Sequence, residues 1–241
     1  MNKCIAEVSW GRDSLGMLLY ILEHPEQYPL DEVVFYNTGM EFGAIYALRD
    51  QMLPLLQERG IAYTELHPDN TFLYDMLERP VESKQKGKHN GYGWCGGRCR
   101  WGTTWKTQAL DRHAAGAVQY IGIAADEAHR RAELTGAKRS PLIEQGMTEA
   151  DCLQYCRDRG YTWTENGVDL YDILDRVSCW CCCNKNLKEL RNIWRYLPEY
   201  WERLINLQER IERPFKKYKN RKYGEYGDLR TLQKIFEQEE K

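Results

Sequence analysis

The chain of 241 residues contains no long apolar run. Its first ten residues lack the stretch a signal peptide needs, and no segment is long enough to span a bilayer. A cytoplasmic location without a membrane partner is expected. An excess of charge is also missing: 34 basic against 36 acidic residues leave −2. No global field therefore draws the chain to nucleic acid, although a local patch stays open. There is no internal repeat and no low-complexity tract. Nine cysteines are an odd number, and a reducing compartment does not sustain a disulfide scaffold. Metal ligation, redox chemistry and plain burial remain for those thiols.

What is present is alternation. "CIAEVS" (4–9) reads as a buried strand, and residues 14–24 carry apolar residues at helical spacing. A second strand ends at Gly39. A helix stops at Gly60, with Pro54 as a possible kink. Residues 61–67 and 117–125 read as further strands. This order predicts an α/β fold, a Rossmann-like parallel sheet with helices on both faces. Residues 83–102 read as a long loop rich in Gly, Lys and Asn. Thr148 and Asp151 form a capping signature for a helix ending at Gly160. Residues 186–215 and 228–240 read as helices. The expected domains are an α/β domain over 1–185 and a helical C-terminal extension over 186–241.

"VSWGRDSLGM" follows the first strand and opens the first helix. Backbone N–H groups and a helix dipole can hold an anion at such a place. Ser9 and Ser14 add hydroxyls, Gly11 permits a close approach or a sharp turn, and Arg12 adds charge. Asp13 suits bare phosphate only if a metal or a substrate hydroxyl is also present. An ordinary strand–helix turn explains the same composition.

Two cysteine groups stand apart from the rest. Cys95 and Cys99 have three residues between them, and Cys179 and Cys182 form a C-x-x-C within "SCWCCCN". Such pairs can close tetrahedral zinc or hold the corners of an iron–sulfur cluster. A thioredoxin-type redox pair is a further alternative. Cys4, Cys152 and Cys156 read as core residues. Lys84, Lys86, Lys88, Arg98, Arg100 and Lys106 surround the first pair, where they bind phosphates, soften the charge of a cluster, or simply face solvent. His89 and His129 read as surface residues. The stretch 213–227 interleaves basic and aromatic residues, which suits a phosphate backbone and stacked bases or a solvated connector.

"SWGRDS" resembles the S-G-G-x-D-S signature of the PP-loop adenine nucleotide alpha-hydrolase superfamily. "YNTGMEF" (36–42), "GIAADEAHR" (122–130), "PLIEQGMTEADCLQYCRDRGY" (141–161) and "RVSCWCCCN" (176–184) resemble, in order, segments of its PAPS reductase-like family. The resemblance implies an adenine nucleotide held by Ser9, Gly11, Arg12, Asp13, Ser14, Thr38, Gly39, Gly122 and Arg130, with Asp13 and Lys106 catalytic. It implies a [4Fe-4S] cluster on Cys95, Cys99, Cys179 and Cys182, with zinc as the alternative and Cys181 as a reserve ligand. Cys183 stands where the family often has proline.

Several departures qualify the resemblance. Trp10 replaces a loop glycine, implying a looser turn or a stacking ring. Asn37 replaces the Asp of D-T-G, and Ala124 replaces an arginine. The E-C-G-I/L-H segment of thiol-dependent reductases has no counterpart, since no cysteine follows Cys183. Without that nucleophile the usual S-sulfo intermediate cannot form. The expected function is therefore ATP-dependent, magnesium-assisted adenylation with pyrophosphate release, coupled to sulfur chemistry on a nucleic-acid, protein or small-molecule acceptor. The alternatives are an APS/PAPS reductase forming sulfite, and a non-catalytic nucleotide-binding subunit of a defence or modification complex.

Overall fold

The computed structural model describes residues 2–84, 87–211, 215, 218–220 and 224–240. Lys86 and residues 213, 214, 216, 217 and 221–223 of the basic–aromatic stretch lie outside the described residues. Two compact units are interleaved in the sequence. The first comprises Met1–Pro68 and Thr104–Trp163, the second Asp69–Thr103 and Thr164–Lys241. The expected boundary at 185/186 falls inside the second unit.

In the first unit five strands form a parallel sheet: β1 (Cys4–Glu7), β2 (Glu32–Tyr36), β3 (Ala62–Leu66), β4 (Val118–Ile121) and β5 (Lys138–Arg139), in the order β3-β2-β1-β4-β5. All neighbours run parallel. Four helices of eight or more residues accompany them: α1 (Arg12–Glu23), α2 (Gly43–Glu58), α3 (Lys106–His113) and α4 (Glu149–Asp158). The strand order reverses direction after β3. Right-handed crossovers then place α1 and α2 on one face and α3 on the other. This is the α/β, Rossmann-like architecture that the alternation predicts. Ile5, Val34 and Tyr36 pack with Leu110, Ala114 and Ala117 to form the core beneath α3. All of β2 is buried, including Glu32, whose carboxylate meets Lys3 Nζ at 2.6 Å and His113 Nε2 at 2.8 Å. A buried carboxylate is tolerable on such terms because it is paired twice.

α1 and α4 pack through a glycine. A Cβ on Gly16 would stand 3.2 Å from Cys152 Cβ and 3.3 Å from Cys152 Cα. Cys152 and Cys156 are fully buried, and Cys156 Sγ donates to Arg12 O at 3.6 Å. Both are core residues, as is Cys4. The capping box at α4 is complete: Asp151 N donates to Thr148 Oγ1 at 3.2 Å, and Thr148 N to Asp151 Oδ2 at 2.9 Å. α2 runs continuously through Pro54.

In the second unit, Pro80–Ser83 pairs antiparallel with Gly87–Asn90. This hairpin occupies part of the stretch read as loop. Its residues are half-exposed or exposed on both faces, so no apolar alternation marks it. The long helical stretch is broken by Pro198 into α5 (Leu187–Tyr196) and α6 (Pro198–Ile211), followed by α7 (Leu229–Glu239). Phe236 of α7 packs between Trp194 and Trp201. Buried Gln208 of α6 accepts from Phe215 N and Leu229 N, both at 3.1 Å. Among the described residues no helix is long and apolar enough to cross a membrane.

Gly16→Val tests the α1–α4 contact. Replacing a helical glycine gains up to about 1 kcal/mol of backbone entropy. Overpacking against backbone that cannot swing aside costs about 1–3 kcal/mol. The variant is expected to be less stable in urea unfolding, and an unchanged midpoint would refute the tight approach.

Candidate functional site

Three loops leave the C-terminal ends of β1, β2 and β4 on one edge of the sheet, where ligands of open α/β folds bind. The loop after β1 is drawn tight by serines. Ser9 N donates to Ser14 Oγ at 3.1 Å, the two hydroxyls lie 3.1 Å apart, and Ser14 Oγ donates to Gly11 O at 3.2 Å. The loop after β4 closes onto it. A Cβ on Gly122 would stand 2.8 Å from Ser14 Cα and 2.9 Å from Ser14 N. Only glycine lets the two backbones touch there. Ser9, Gly11, Asp13, Ser14 and Gly122 are thereby brought together at the start of α1, a position suited to an anion.

The left-handed residue of this turn is Trp10, with φ +62°; Gly11 has φ −77°. A bulky residue in that region is strained. Packing over-determines it. The indole is wholly buried, edge-on to Phe35 at 6.4 Å and tilted against Tyr63 at 6.1 Å. Trp163 Nε1 donates to Trp10 O at 2.7 Å. Neither a looser turn nor an available stacking ring results: the ring is core.

Around Asp13 carboxylates gather. Ligand oxygens of Asp13, Glu127 and Glu149 lie within 4.8 Å of one another. Asp13 Oδ1 is buried and makes no hydrogen bond; Arg12 Nε stands 3.4 Å away. Burial pushes the Asp13 carboxyl up to about 6, opposed by Arg12 and aided by Glu127. Such a group of hard oxygens fits magnesium. The arginines are engaged by the same acids. Arg12 pairs with Glu149, and Arg130 with Glu127 at 2.9 Å and Glu133 at 3.2 Å. Glu127 and Glu149 were not legible as partners of Asp13, being more than a hundred residues away.

The loop after β2 is built on Glu41. Thr38 Oγ1 donates to it at 2.7 Å, Tyr46 Oη at 2.8 Å and Met40 N at 3.1 Å. Gly39 adopts φ +78°, and its N–H donates to Asn37 Oδ1 at 2.7 Å. Asn37 Nδ2 in turn donates to Glu65 Oε1 at 2.6 Å. An aspartate at 37 would face Glu65 as a like charge. The neighbour on β3 thus accounts for Asn37.

Lys106 opens α3 and is half-buried. Burial holds its ammonium below the ordinary lysine range, against the pull of Glu41 and Glu7. Glu7, the last residue of β1, is the reciprocal case. Burial raises its carboxyl to about 7, opposed by Lys138 and Lys106, and its Oε1 is buried without a hydrogen bond. A carboxyl and an amine both shifted toward neutrality can exchange protons with a ligand. No motif marks Glu7; its signal is a charged residue inside a buried strand.

In the second unit the loop 95–99 and the turn 179–185 meet. Asn184 Oδ1 accepts from Gly97 N and Asn184 Nδ2 donates to Gly97 O, both at 2.8 Å. Cys99 Sγ accepts from Gly102 N at 3.4 Å. Buried Lys185 reaches Ser178 Oγ at 3.2 Å. It acts on Cys179 and Cys182 as a positive charge, although their thiols are held above the ordinary range, first by Cys181 and Cys179 respectively. All nine cysteines are free thiols. The only trio of metal-ligand groups within 4.8 Å among the described residues is the carboxylate one. Sulfurs preset for one zinc would stand about 3.8 Å apart, from Zn–S bonds of about 2.3 Å. An N–H donor to the Cys99 sulfur and a buried lysine beside Cys179 and Cys182 are both present in this thiol-bearing region. Of the surrounding bases, Lys84, Lys88 and Arg98 are exposed, and Arg100 stacks on Tyr92 at 3.6 Å.

No family model matches the chain, and no curated protein matches it. Among solved structures it is similar to the U34-tRNA thiolase NcsA from Methanococcus maripaludis, determined with its [4Fe-4S] cluster. Identity is 16%, over 88% of this chain and 73% of that one, with a TM-score of 0.47. A likeness of this degree assigns neither family nor activity.

Two outcomes follow from this geometry. Trp10→Gly relieves roughly 1–3 kcal/mol of backbone strain but gives up about 3–5 kcal/mol of buried indole. The variant is expected to be less stable, and a rise in its melting temperature would contradict the packing argument. Glu7 has a folded value of about 7 above its ordinary 4.5. Its favourable contribution is therefore present below pH 4.5 and lost as pH rises through 7. Glu7→Gln should gain stability over the parent across that window, by at most about 3 kcal/mol. A constant difference from pH 4 to 8 would refute the shift.

Proposed function

We propose that the chain is an ATP-binding, adenylating enzyme of the PP-loop type, releasing pyrophosphate and serving sulfur chemistry with a thiolate-bound [4Fe-4S] cluster. The observation that carries the reading is the serine-laced turn 8–14, closed by the bare backbone of Gly122. The turn holds the anion where the PP-loop resemblance requires it.

Ser9, Gly11 and Ser14 hold phosphate oxygens, and Thr38 and Gly39 lie by the adenosine. Asp13, Glu127 and Glu149 would hold magnesium, which would supply positive charge beside the triphosphate. Arg12 and Arg130, each tied to an acid of that trio, position it. Lys106 offsets the charge that develops on the departing pyrophosphate. An acceptor oxygen attacks the α-phosphorus, the bond to the bridging oxygen breaks, and pyrophosphate leaves. A reduced-sulfur donor then displaces AMP from the adenylated acceptor. The acceptor is a nucleic acid, a protein or a small molecule. Cys95, Cys99, Cys179 and Cys182 are the expected ligand set, and the cluster, when bound, supplies iron that can hold sulfur.

Anaerobic purification tests both halves. The protein should be brown, with absorbance at about 400 nm, and should bind MgATP by equilibrium dialysis. Asp13→Asn should lower pyrophosphate release about 100-fold while weakening ATP binding less. A colourless zinc protein would sink the cluster. Sulfite formed from APS or PAPS with thioredoxin, without pyrophosphate from ATP, would replace this reading by a reductase. ATP binding without turnover, even with partner proteins, would replace it by a non-catalytic subunit.

A further inference from the structure

The loop after β2 is set by a chain of contacts that ends on β3, at a charged residue no motif marks. Resting on the nucleotide reading above, we infer that Glu65 is the positioning residue of that loop: acting through Asn37, it fixes where Thr38 and Gly39 meet the ligand, and residues 37 and 65 can be exchanged only together.

The geometry begins with the register. Glu65 of β3 pairs with Phe35 of β2, two residues before Asn37. Its Oε1 accepts from Asn37 Nδ2 at 2.6 Å. At the other end of the same amide, Asn37 Oδ1 accepts from Gly39 N at 2.7 Å and lies 3.0 Å from Tyr46 Oη. An amide has one accepting end and one donating end, and each end here meets its complement. Turned over, it would set its NH2 against the Gly39 N–H and its oxygen against a carboxylate. The orientation of Asn37, and with it the hold on the Gly39 turn at φ +78°, follows from the charge at position 65. Tyr46 Oη also lies 2.8 Å from Glu41 Oε2, and Glu41 Oε1 accepts from Thr38 Oγ1 at 2.7 Å. Asn37 and Thr38 are buried, whereas a Cβ on Gly39 would meet nothing within 4 Å. The loop is locked on its strand side and open at its glycine.

Glu65 is itself held from several sides. Tyr63 Oη donates to its Oε2 at 2.7 Å, and Arg49 Nη1 stands 3.1 Å from the same oxygen. Arg49 is also paired with Asp50 at 2.8 Å. His67 Nε2 lies 3.5 Å from Glu65 Oε1. Against the burial that would raise it, the hydrogen bonds from Asn37 and Tyr63 and the charges of Arg49 and His67 hold the carboxyl below its ordinary range. The partner at 37 therefore has to donate. An aspartate there would put a second carboxylate oxygen where Nδ2 now stands, so close that the pair must share one proton.

Equilibrium binding of MgATP from pH 5 to 8 tests the relay in N37D, E65Q and N37D/E65Q, each against the parent at the same pH. N37D is expected to bind about tenfold more weakly at pH 8. Its deficit should shrink toward pH 5, where the shared proton restores a hydrogen bond between positions 37 and 65. E65Q keeps an acceptor for Asn37 and should lose less than N37D at pH 8. N37D/E65Q turns the pair around, with the amide now donating from position 65, and should bind within about threefold of the parent at every pH. A deficit of N37D that does not fall at low pH, or a double variant no better than N37D, would overturn the inference. Hydrogen exchange over residues 37–41 without nucleotide is the second readout. It should be faster than the parent's in N37D at pH 8 and close to it in the double variant; equal exchange in N37D and the parent would overturn the inference. A parent protein that binds no MgATP overturns the nucleotide reading instead, and the exchange pattern alone then decides whether Glu65 holds the loop.

Discussion

The first unit depends on an absence of atoms at Gly122. The end of the strand before it and the helix that begins at Arg12 are brought so close that a single methyl would meet Ser14 Cα at 2.8 Å. This approach joins the loops after β1 and β4, and the rest of the site inherits its positions from them. Asp13 comes from the first loop and Glu127 from the second. Glu149 is held in place by the α1–α4 contact at Gly16. The acid group is thus a product of two glycine approaches, neither of which contributes a polar atom.

Much of this was legible in the sequence because local chemistry and global fold agree. Alternating strands and helices give the sheet, and Thr148 with Asp151 gives the start of α4. The Ser/Gly turn lies where the strand–helix junction puts it. The rest was hidden for specific reasons. Glu127 and Glu149 carry no shared spacing with Asp13, so only the folded chain brings them to the turn after β1. The hairpin at 80–90 has no buried face to impose a period of two. β5 is two residues long and leaves no pattern. Trp10 looked like a departure that loosens a turn. It fills the space beneath the turn, and its left-handed backbone is held by Phe35, Tyr63 and Trp163.

The cysteines show the same division between spacing and space. Cys152 and Cys156 were readable as core from their helical interval, and they are buried against α1. For the thiols of the second unit, spacing alone favours Cys179 with Cys182. The fold adds Asn184, whose side-chain amide holds Gly97 of the loop that carries Cys95 and Cys99.

That asparagine clip has one more consequence. An amide that matches both hydrogen-bonding groups of a single residue imitates a strand pairing, and it carries no charge. It has no group that titrates across the usual pH range. The two thiol-bearing segments are thereby joined by the fold itself. The entropy of bringing them together is spent during folding.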